Sequence, residues 1–335
     1  MMRIRTILAM ALLAVTVACA VNPATGRREF MLVSEQEEIQ MGREADPQVT
    51  AAYGLADDPE LQAYVSEIGQ EMAAISERPD LPWSFKVVDE PVVNAFALPG
   101  GFIYVTRGIL AHFANEAELA GVLGHEIGHV TARHSASQMS RQQLQQIGVG
   151  VGMIVSETFR DYGGLAVAGL QLMNLSYSRD DELQSDRLGL RYMSRVGYDP
   201  EELIGVFEML ASVSGSAEGG RVPEWQLTHP YPENREQEIR DEIAATGVEL
   251  DGRVARDTYL DMLDGMVFGS NPRNGYFEGS RFLHPELAFE ITFPSEWQTI
   301  NQNQMVAAVA PQENGVVILE LAADASSASA AMSEF

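Results

Sequence analysis

His125-Glu126-Ile127-Gly128-His129 sets two imidazoles and a carboxylate into a stretch that is otherwise apolar, and no other segment restricts the fold so tightly. On an α-helix, residues four apart stand one above the other, so both imidazoles can reach one ion. Glu126 is turned by about 100° from His125. It can hydrogen-bond a metal-bound water without being a ligand. Ala120, Val122, Leu123, Ile127 and Val130 surround the motif. Polar groups in such company are buried at a cost unless they are used. The pattern H-E-x-x-H therefore reads as two zinc ligands and a base on one rigid rod. Asn115 is expected to cap this helix with Glu118 as its partner, and the helix to run to about Ser137.

A catalytic zinc usually takes three protein ligands and one water. The metzincin solution needs Gly and His at set positions beyond the second motif histidine; here those positions hold Ala132 and Ser135, so it fails. His134 is one residue short and is expected at the surface. The other solution is a carboxylate from a second helix, expected over Asp180 to Arg195. Glu182 and Asp186 are four apart on it and share a face. Glu182 could ligate the ion, and Asp186 could accept the N–H of a ligand imidazole and fix its tautomer. Asp180 and Asp181 read as a solvated first turn favoured by the helix dipole.

The remaining chain reads as an α+β fold, mainly α, with a small sheet beside the motif helix. Helices are expected from Ser34, with Glu37 as capping partner, and from Asp58-Pro59. Trp83 to Asp89, Val92 to Leu98 and Phe102 to Thr106 read as strands, with Pro99-Gly100-Gly101 turning between the last two. Val92 to Thr106 could pair with an extended peptide by β-addition, Asn94, Ala95, Phe96, Gly100 and Gly101 shaping that edge; a plain structural hairpin is the alternative. Ile147 to Leu175 is apolar but interrupted at Ser156 to Asp161. It is thus a poor transmembrane candidate, read as a lid or as core helices. His229 lies before Pro230 in a loop, where it could assist an oxyanion or serve as a temporary fourth ligand. Arg235 could anchor that loop to a carboxylate. Tyr177 and Tyr231 are candidate proton donors, with packing the commoner role of such residues; His112 and His284 carry no functional reading. Gly269 to Gly279 reads as a linker. Residues 269–323 then form a small β module, with strands at Leu287 to Phe293, Met305 to Ala310 and Val316 to Leu321. Residues 324–335 read as a disordered tail.

The formal net charge of −26 repels phosphate backbones and argues against nucleic acid as a partner. Residues 1–20 have the pattern of a signal peptide: Arg3 and Arg5, then an apolar run from Ile7 to Ala18. Cleavage after Ala20 gives a soluble exported protein. Cleavage before Cys19 leaves a lipidated N-terminus. Cys19 is the single cysteine and cannot form an internal disulfide, which favours lipidation. The peptidase domain then spans residues 21–268.

Taken in order, Cys19-Ala20-Val21-Asn22-Pro23, Asn94-Ala95-Phe96, Pro99-Gly100-Gly101, the His125 to His129 motif, Ser178-Arg179 with Glu182 and Asp186, and His229-Pro230 with Arg235 make the chain resemble the gluzincin peptidases related to the CAAX prenyl endopeptidase and the bacterial HtpX protease. It is most similar to their periplasmic lipoprotein members, linked to outer-membrane protein quality control. Ser185 stands where that family usually has Ala. The resemblance implies one Zn2+ held by His125, His129 and Glu182, with Glu126 as base. It also implies unfolded or misassembled envelope proteins as substrates, contact with outer-membrane assembly machinery, and a periplasmic location at the inner face of the outer membrane through lipidated Cys19. A chaperone that holds such clients and rarely cuts is the rival expectation.

Overall fold

The computed structural model describes residues 19–148, 176–216, 225, 228–229, 234–247, 250–303, 305–312 and 314–320. The signal segment as far as residue 18, the Ile147 to Leu175 segment beyond residue 148, the loop residues Pro230 and Tyr231, and the tail lie outside the described residues.

Local chemistry starts each helix where its capping residues stand. In α1 (Glu35–Tyr53) the Ser34 hydroxyl accepts from the Glu37 N–H and the Glu37 carboxylate accepts from the Ser34 N–H, a reciprocal box. Asp58 caps α2 (Pro59–Ala73), whose first residue is a proline that has no N–H to leave unpaired. Leu61, Val65, Ile68 and Met72 of α2 are buried at helical spacing and face the sheet and the motif helix. Two strands, β1 (Cys19–Val21) and β2 (Arg28–Phe30), precede these helices, and β3 (Ser84–Val88), β4 (Ala95–Leu98) and β5 (Phe102–Thr106) follow them. The turn-rich Asn22 to Gly26 segment is the loop between antiparallel β1 and β2, a pairing that three-residue strands did not betray in the sequence. The central sheet has the order β3-β5-β4, with β3 and β5 parallel and β4 and β5 antiparallel. Pro99-Gly100-Gly101 closes the β4–β5 hairpin with both glycines at positive φ.

After the short α3 (Arg107–Leu110) comes the motif helix α4 (Glu116–Thr131), every residue of which is buried. Asn115 caps it by accepting from the Glu118 N–H, while Glu118 reaches back to the Ala114 N–H rather than to that of Asn115. The helix stops earlier than the expected Ser137. Arg133 has φ +61°, a left-handed conformation costing roughly 1–2 kcal/mol for a residue with a Cβ. Its guanidinium offsets that cost by donating to buried Glu38 at 3.0 Å and to the Val33 carbonyl at 2.8 Å. A separate helix, α5 (His134–Gly148), departs from the break.

Among the described residues the α-rich part continues with α6 (Arg179–Arg195), α7 (Glu202–Ser216), α8 (Arg235–Thr246) and α9 (Arg256–Met262). Ser178 and Asp181 form a reciprocal capping box at the start of α6. Asp181 is thereby largely buried, not a solvated first-turn charge as expected. One large apolar core joins α2, β3, β4, β5, α4, α6 and α7. The stretch read as a linker is ordered, with a 3-10 turn at Pro272–Asn274 and a strand, β6 (Tyr276–Glu278). β6, β7 (Arg281–His284) and β8 (Phe289–Thr292) form one antiparallel sheet; β9 (Gln298–Gln302), β10 (Met305–Val309) and β11 (Val316–Glu320) form another. Phe282, Phe293, Val306 and Ala308 make a small core of their own. Among the described residues, no helix is long and apolar enough to cross a membrane.

Candidate metal centre

Helices α4 and α6 cross at very close range because the contact residues are small. A Cβ on Gly189 would lie 2.8 Å from the His125 nitrogen, and one on Gly128 would lie 3.0 Å from the Ser185 Cα. This crossing sets the first turns of α6 beside the motif. His125, His129, Glu182 and His229 bring one ligand atom each within 4.8 Å of one another, all buried. His125 Nε2 is 2.9 Å from His129 Nε2 and 3.3 Å from His229 Nδ1. Glu182 Oε1 is 3.0 Å from His229 Nδ1 and 3.4 Å from His129 Nε2. Ligands at zinc bond lengths, arranged tetrahedrally, stand about 3.3 Å apart.

The tautomers support a cation at the centre. His125 Nδ1 is 2.8 Å from Asp186 Oδ1 and donates its proton there, leaving the Nε2 lone pair facing inward. Arg235 holds the Asp186 carboxylate with Nε and Nη2 at 2.8 and 2.6 Å, and its Nη1 stands 3.3 Å from Glu182 Oε2. Burial opposes charge on Asp186, but Arg235 and then His125 outweigh it and bring the carboxyl down to about 2.

His134 is not at the surface as expected; it is 2% exposed. The break at Arg133 swings the start of α5 under His129, so that His134 Nδ1 lies 3.0 Å from His129 Nδ1. Its Nε2 donates to Gln184 Oε1 at 3.2 Å, so Nδ1 is an acceptor and takes the His129 Nδ1 proton. Burial disfavours the charged ring and lowers the pKa of His134, consistent with a neutral acceptor. Burial first, then His125 and His134, push His129 well below the usual histidine range. Both motif imidazoles thus direct bare Nε2 lone pairs at one point.

The carboxylates complete that point. Burial raises the pKa of Glu126, and among the described residues neither of its oxygens has a hydrogen-bond partner. Its closest charged neighbour is His229 Nε2, 3.5 Å from Oε1. Glu182 is disfavoured as an anion by burial, yet His229, His125 and Arg235 bring it below its ordinary value. His229 is opposed by burial but raised by Glu182 and Glu126. Two buried acids draw charge onto this ring because their surroundings call for a cation. The donor set, its spacing and its electrostatics all fit a zinc ion.

Residues 59–243, more than half of the chain, match peptidase family M48. The chain belongs to peptidase family M48. It is 33% identical to a beta-barrel assembly-enhancing protease of Yersinia pestis over 227 residues, 65% of this chain and 46% of that protein. It is 33% identical to the mitochondrial metalloendopeptidase OMA1 of Arabidopsis thaliana over 181 residues, 54% of this chain and 36% of the other. Against the metalloprotease YcaL of Escherichia coli it is 30% identical over 215 residues, 60% of this chain and 82% of that protein. The chain thus spans about half the length, or less, of the first two relatives.

One part of this M48 site, Trp225, was not legible in the sequence. It stacks on His229 with ring centroids 4.2 Å apart and 19° between planes. Tyr177, read from the sequence as a candidate proton donor or a packing residue, stacks on His129 at 3.9 Å, its hydroxyl 2.9 Å from Ser135 Oγ. A lone tryptophan carries no periodic signal, so only contact with the ring reveals it. Asn94, Ala95 and Phe96 lie at the start of β4, and Gly100 and Gly101 in the turn that ends it. β4 is the edge strand of its sheet. The Thr106 N–H donates to the Asn94 carbonyl at 3.0 Å, which makes Asn94 and Thr106 a hydrogen-bonded pair. By the antiparallel alternation, Phe96 and Leu98 also bond to β5, and Ala95 and Ala97 turn their N–H and C=O outward.

Proposed function

We propose that the protein is a zinc-dependent endopeptidase in which His125, His129 and Glu182 hold the metal and Glu126 moves the proton. The observation that carries this reading is the convergence of four buried ligand atoms beside a glutamate whose two oxygens have no hydrogen-bond partner among the described residues. Zinc, when bound, supplies a Lewis acid that polarises a carbonyl and makes water acidic near neutral pH. Glu126 then accepts the proton of the attacking water and returns it to the leaving amine; its raised pKa suits both halves of that exchange. Asp186, steadied by Arg235, holds the His125 ring in its metal-binding tautomer. His229 would offer a fourth ligand nitrogen to the metal, and its ring would turn aside to admit water and substrate. The substrate runs as an extended strand along β4, its backbone meeting the outward groups of Ala95 and Ala97, with Asn94, Phe96, Gly100 and Gly101 shaping that edge.

The substrates in this reading are unfolded or misassembled envelope proteins, cut in the periplasm by a protein tethered through lipidated Cys19 and working beside outer-membrane assembly machinery; the name of the beta-barrel assembly-enhancing relative supports the last of these. An active site reached by strand addition suits such unfolded chains.

Purified protein loaded with zinc should cleave unfolded casein, and a chelator should stop it. Glu126→Gln should retain zinc by metal analysis and lose activity by at least about a hundredfold. Glu182→Ala should lose zinc to the same extent as His129→Ala. Full zinc in the Glu182 variant, or ready turnover by metal-loaded Glu126→Gln, would remove the assignment. Retained binding of unfolded clients with no cleavage under any condition would instead support a holding role.

A further inference from the structure

A cavity of about 390 Å³ opens where the C-terminal strands meet the peptidase core. Its core-side wall includes Asp89, Asn94 and Thr228; its outer wall includes Asn271, Gln302 and Asn303. Two of these residues tie it to the metal centre. Thr228 immediately precedes His229, and Asn94 immediately precedes the outward-facing edge of β4.

The outer wall is held rigidly. Asp89 Oδ2 accepts from Asn271 Nδ2 at 2.6 Å and from Asn274 Nδ2 at 3.2 Å, while Oδ1 accepts from Arg107 Nε at 2.8 Å. Asn274 also donates to Asn303 Oδ1 at 2.5 Å. Arg107 further donates to the carbonyls of Val267 and Gly269, pinning the segment that leads to the strands. Asn303 approaches Gly54 so closely that a Cβ there would lie 2.5 Å from its Nδ2. Both oxygens of Asp89 are thus committed and its charge is met by Arg107; the second carboxylate lining the cavity is that of Glu90.

One group in the cavity is left wanting. Asn94 is 6% exposed. Its backbone N–H and C=O are both used by Thr106. Its side-chain Oδ1 has no hydrogen-bond partner among the described residues. A buried acceptor without a partner costs about 1–3 kcal/mol, so the cavity favours a ligand that brings N–H groups. Opposite it, the Gln302 amide offers an uncharged donor and acceptor together, whereas Asn271 is committed at both ends, its Nδ2 to Asp89 and its Oδ1 to the Arg273 N–H at 3.1 Å. That combination matches a polypeptide backbone whatever its side chains.

We propose that the C-terminal β module completes the polypeptide cleft: a substrate strand that has run along β4 continues past Asn94 into this cavity, where Asn94 Oδ1 and the Gln302 amide bind its backbone amides. The proposal rests on the peptidase reading above and adds to it a preference for long extended chains. A strand advances about 3.3 Å per residue, so only peptides extending several residues beyond the metal centre reach the outer wall.

The test uses the full zinc-loaded chain and its Gln302→Ala and Gln302→Trp variants, Gln302 being exposed and outside the Asp89 network. Each is assayed on a nested series of unfolded peptides that share one cleavage site. The wild-type protein should show kcat/KM rising with length. Both variants should lose about tenfold of the long-to-short ratio, the size of one or two backbone hydrogen bonds, through KM and not kcat. In a Glu126→Gln background, anisotropy of a labelled long peptide should show the same loss of affinity, independent of cleavage. Equal ratios and equal affinities across wild type and variants would overturn the proposal while leaving the peptidase reading intact. Absence of cleavage by the wild-type protein on every peptide would overturn the peptidase reading itself, and unchanged anisotropy in the Gln302 variants would still decide against the cleft.

Discussion

At His229, the ring nitrogen that meets Glu182 also faces His125, and Trp225 lies flat against the same ring. A side chain so placed closes a four-ligand set, and such a set leaves zinc no position for water. The ring follows helical Thr228, with the His229 N–H donating to the Trp225 carbonyl at 2.8 Å, and is held by stacking, so it can leave by turning about its own side-chain bonds. His229→Ala is therefore expected to raise basal casein cleavage several-fold while zinc content is unchanged. If the imidazole instead steadies the oxyanion, the same variant should fall by about ten- to a thousandfold. Kinetics and zinc affinity both unchanged would leave His229 a structural residue.

At the scale of elements, the site exists because α4 and α6 touch backbone to backbone. Gly189→Ala would force its new methyl against the His125 nitrogen and push the helices apart. Such overpacking costs roughly 1–3 kcal/mol, or a melting temperature lower by several degrees. Zinc affinity should fall with it, since Glu182 travels on α6; calorimetry and metal titration measure the two losses separately. The first turn of α4 carries a second consequence. Glu118 is buried against α7, and burial, with Glu202 and Glu208 adding to it, raises its carboxyl to about 7 from a model-peptide value of 4.5. The folded protein thus holds this proton to higher pH than the unfolded chain does. The stability Glu118 contributes is full below pH 4.5 and is lost as pH rises through about 7. Glu118→Gln keeps an acceptor for the Ala114 N–H and removes the charge. Its unfolding free energy should gain on that of the wild type between pH 4.5 and 7, by on the order of 1–2 kcal/mol, and run parallel above. A gap independent of pH would show that the carboxyl titrates normally.

For the whole molecule, the metal centre ties together parts of the chain that share little else. His125 and His129 come from α4, Glu182 from α6, and His229 from the segment before α8. Without a cation, two buried carboxylates and three converging ring nitrogens face one another. Zinc in a thousandfold excess over its dissociation constant adds about 4 kcal/mol to the folded state, so a chelator should lower the melting temperature by roughly 10 °C. Re-added zinc should restore it, and His129→Ala should show no such response. An identical melting curve with and without chelator would mean that the four residues do not hold the ion. The C-terminal strands belong to this scale as well, since their Asn271, Asn274 and Asn303 contacts with the core are polar and specific.

What the sequence alone determined is what one helix can determine. The four-residue spacing of His125 and His129, the same spacing in Glu182 and Asp186, and the caps at Ser34, Asp58 and Asn115 follow from 3.6 residues per turn and from unpaired N–H groups at helix starts. Hence the α+β class, the central strands and the principal members of the site were readable from residue order, with strand ends differing by a few residues. Only the tertiary structure decided which residues from separate elements meet. His134 looked superficial because helical continuation from His129 would point it elsewhere; the left-handed Arg133 turns it inward beneath that ligand. Trp225 has no periodicity to announce it, and Asn271, Gln302 and Asn303 stand in segments read as a linker or passed over. Local spacing is fixed by covalent geometry, whereas contacts between distant segments are set by how closely helices can cross and where the chain breaks. Both of those depend on neighbours far away in sequence.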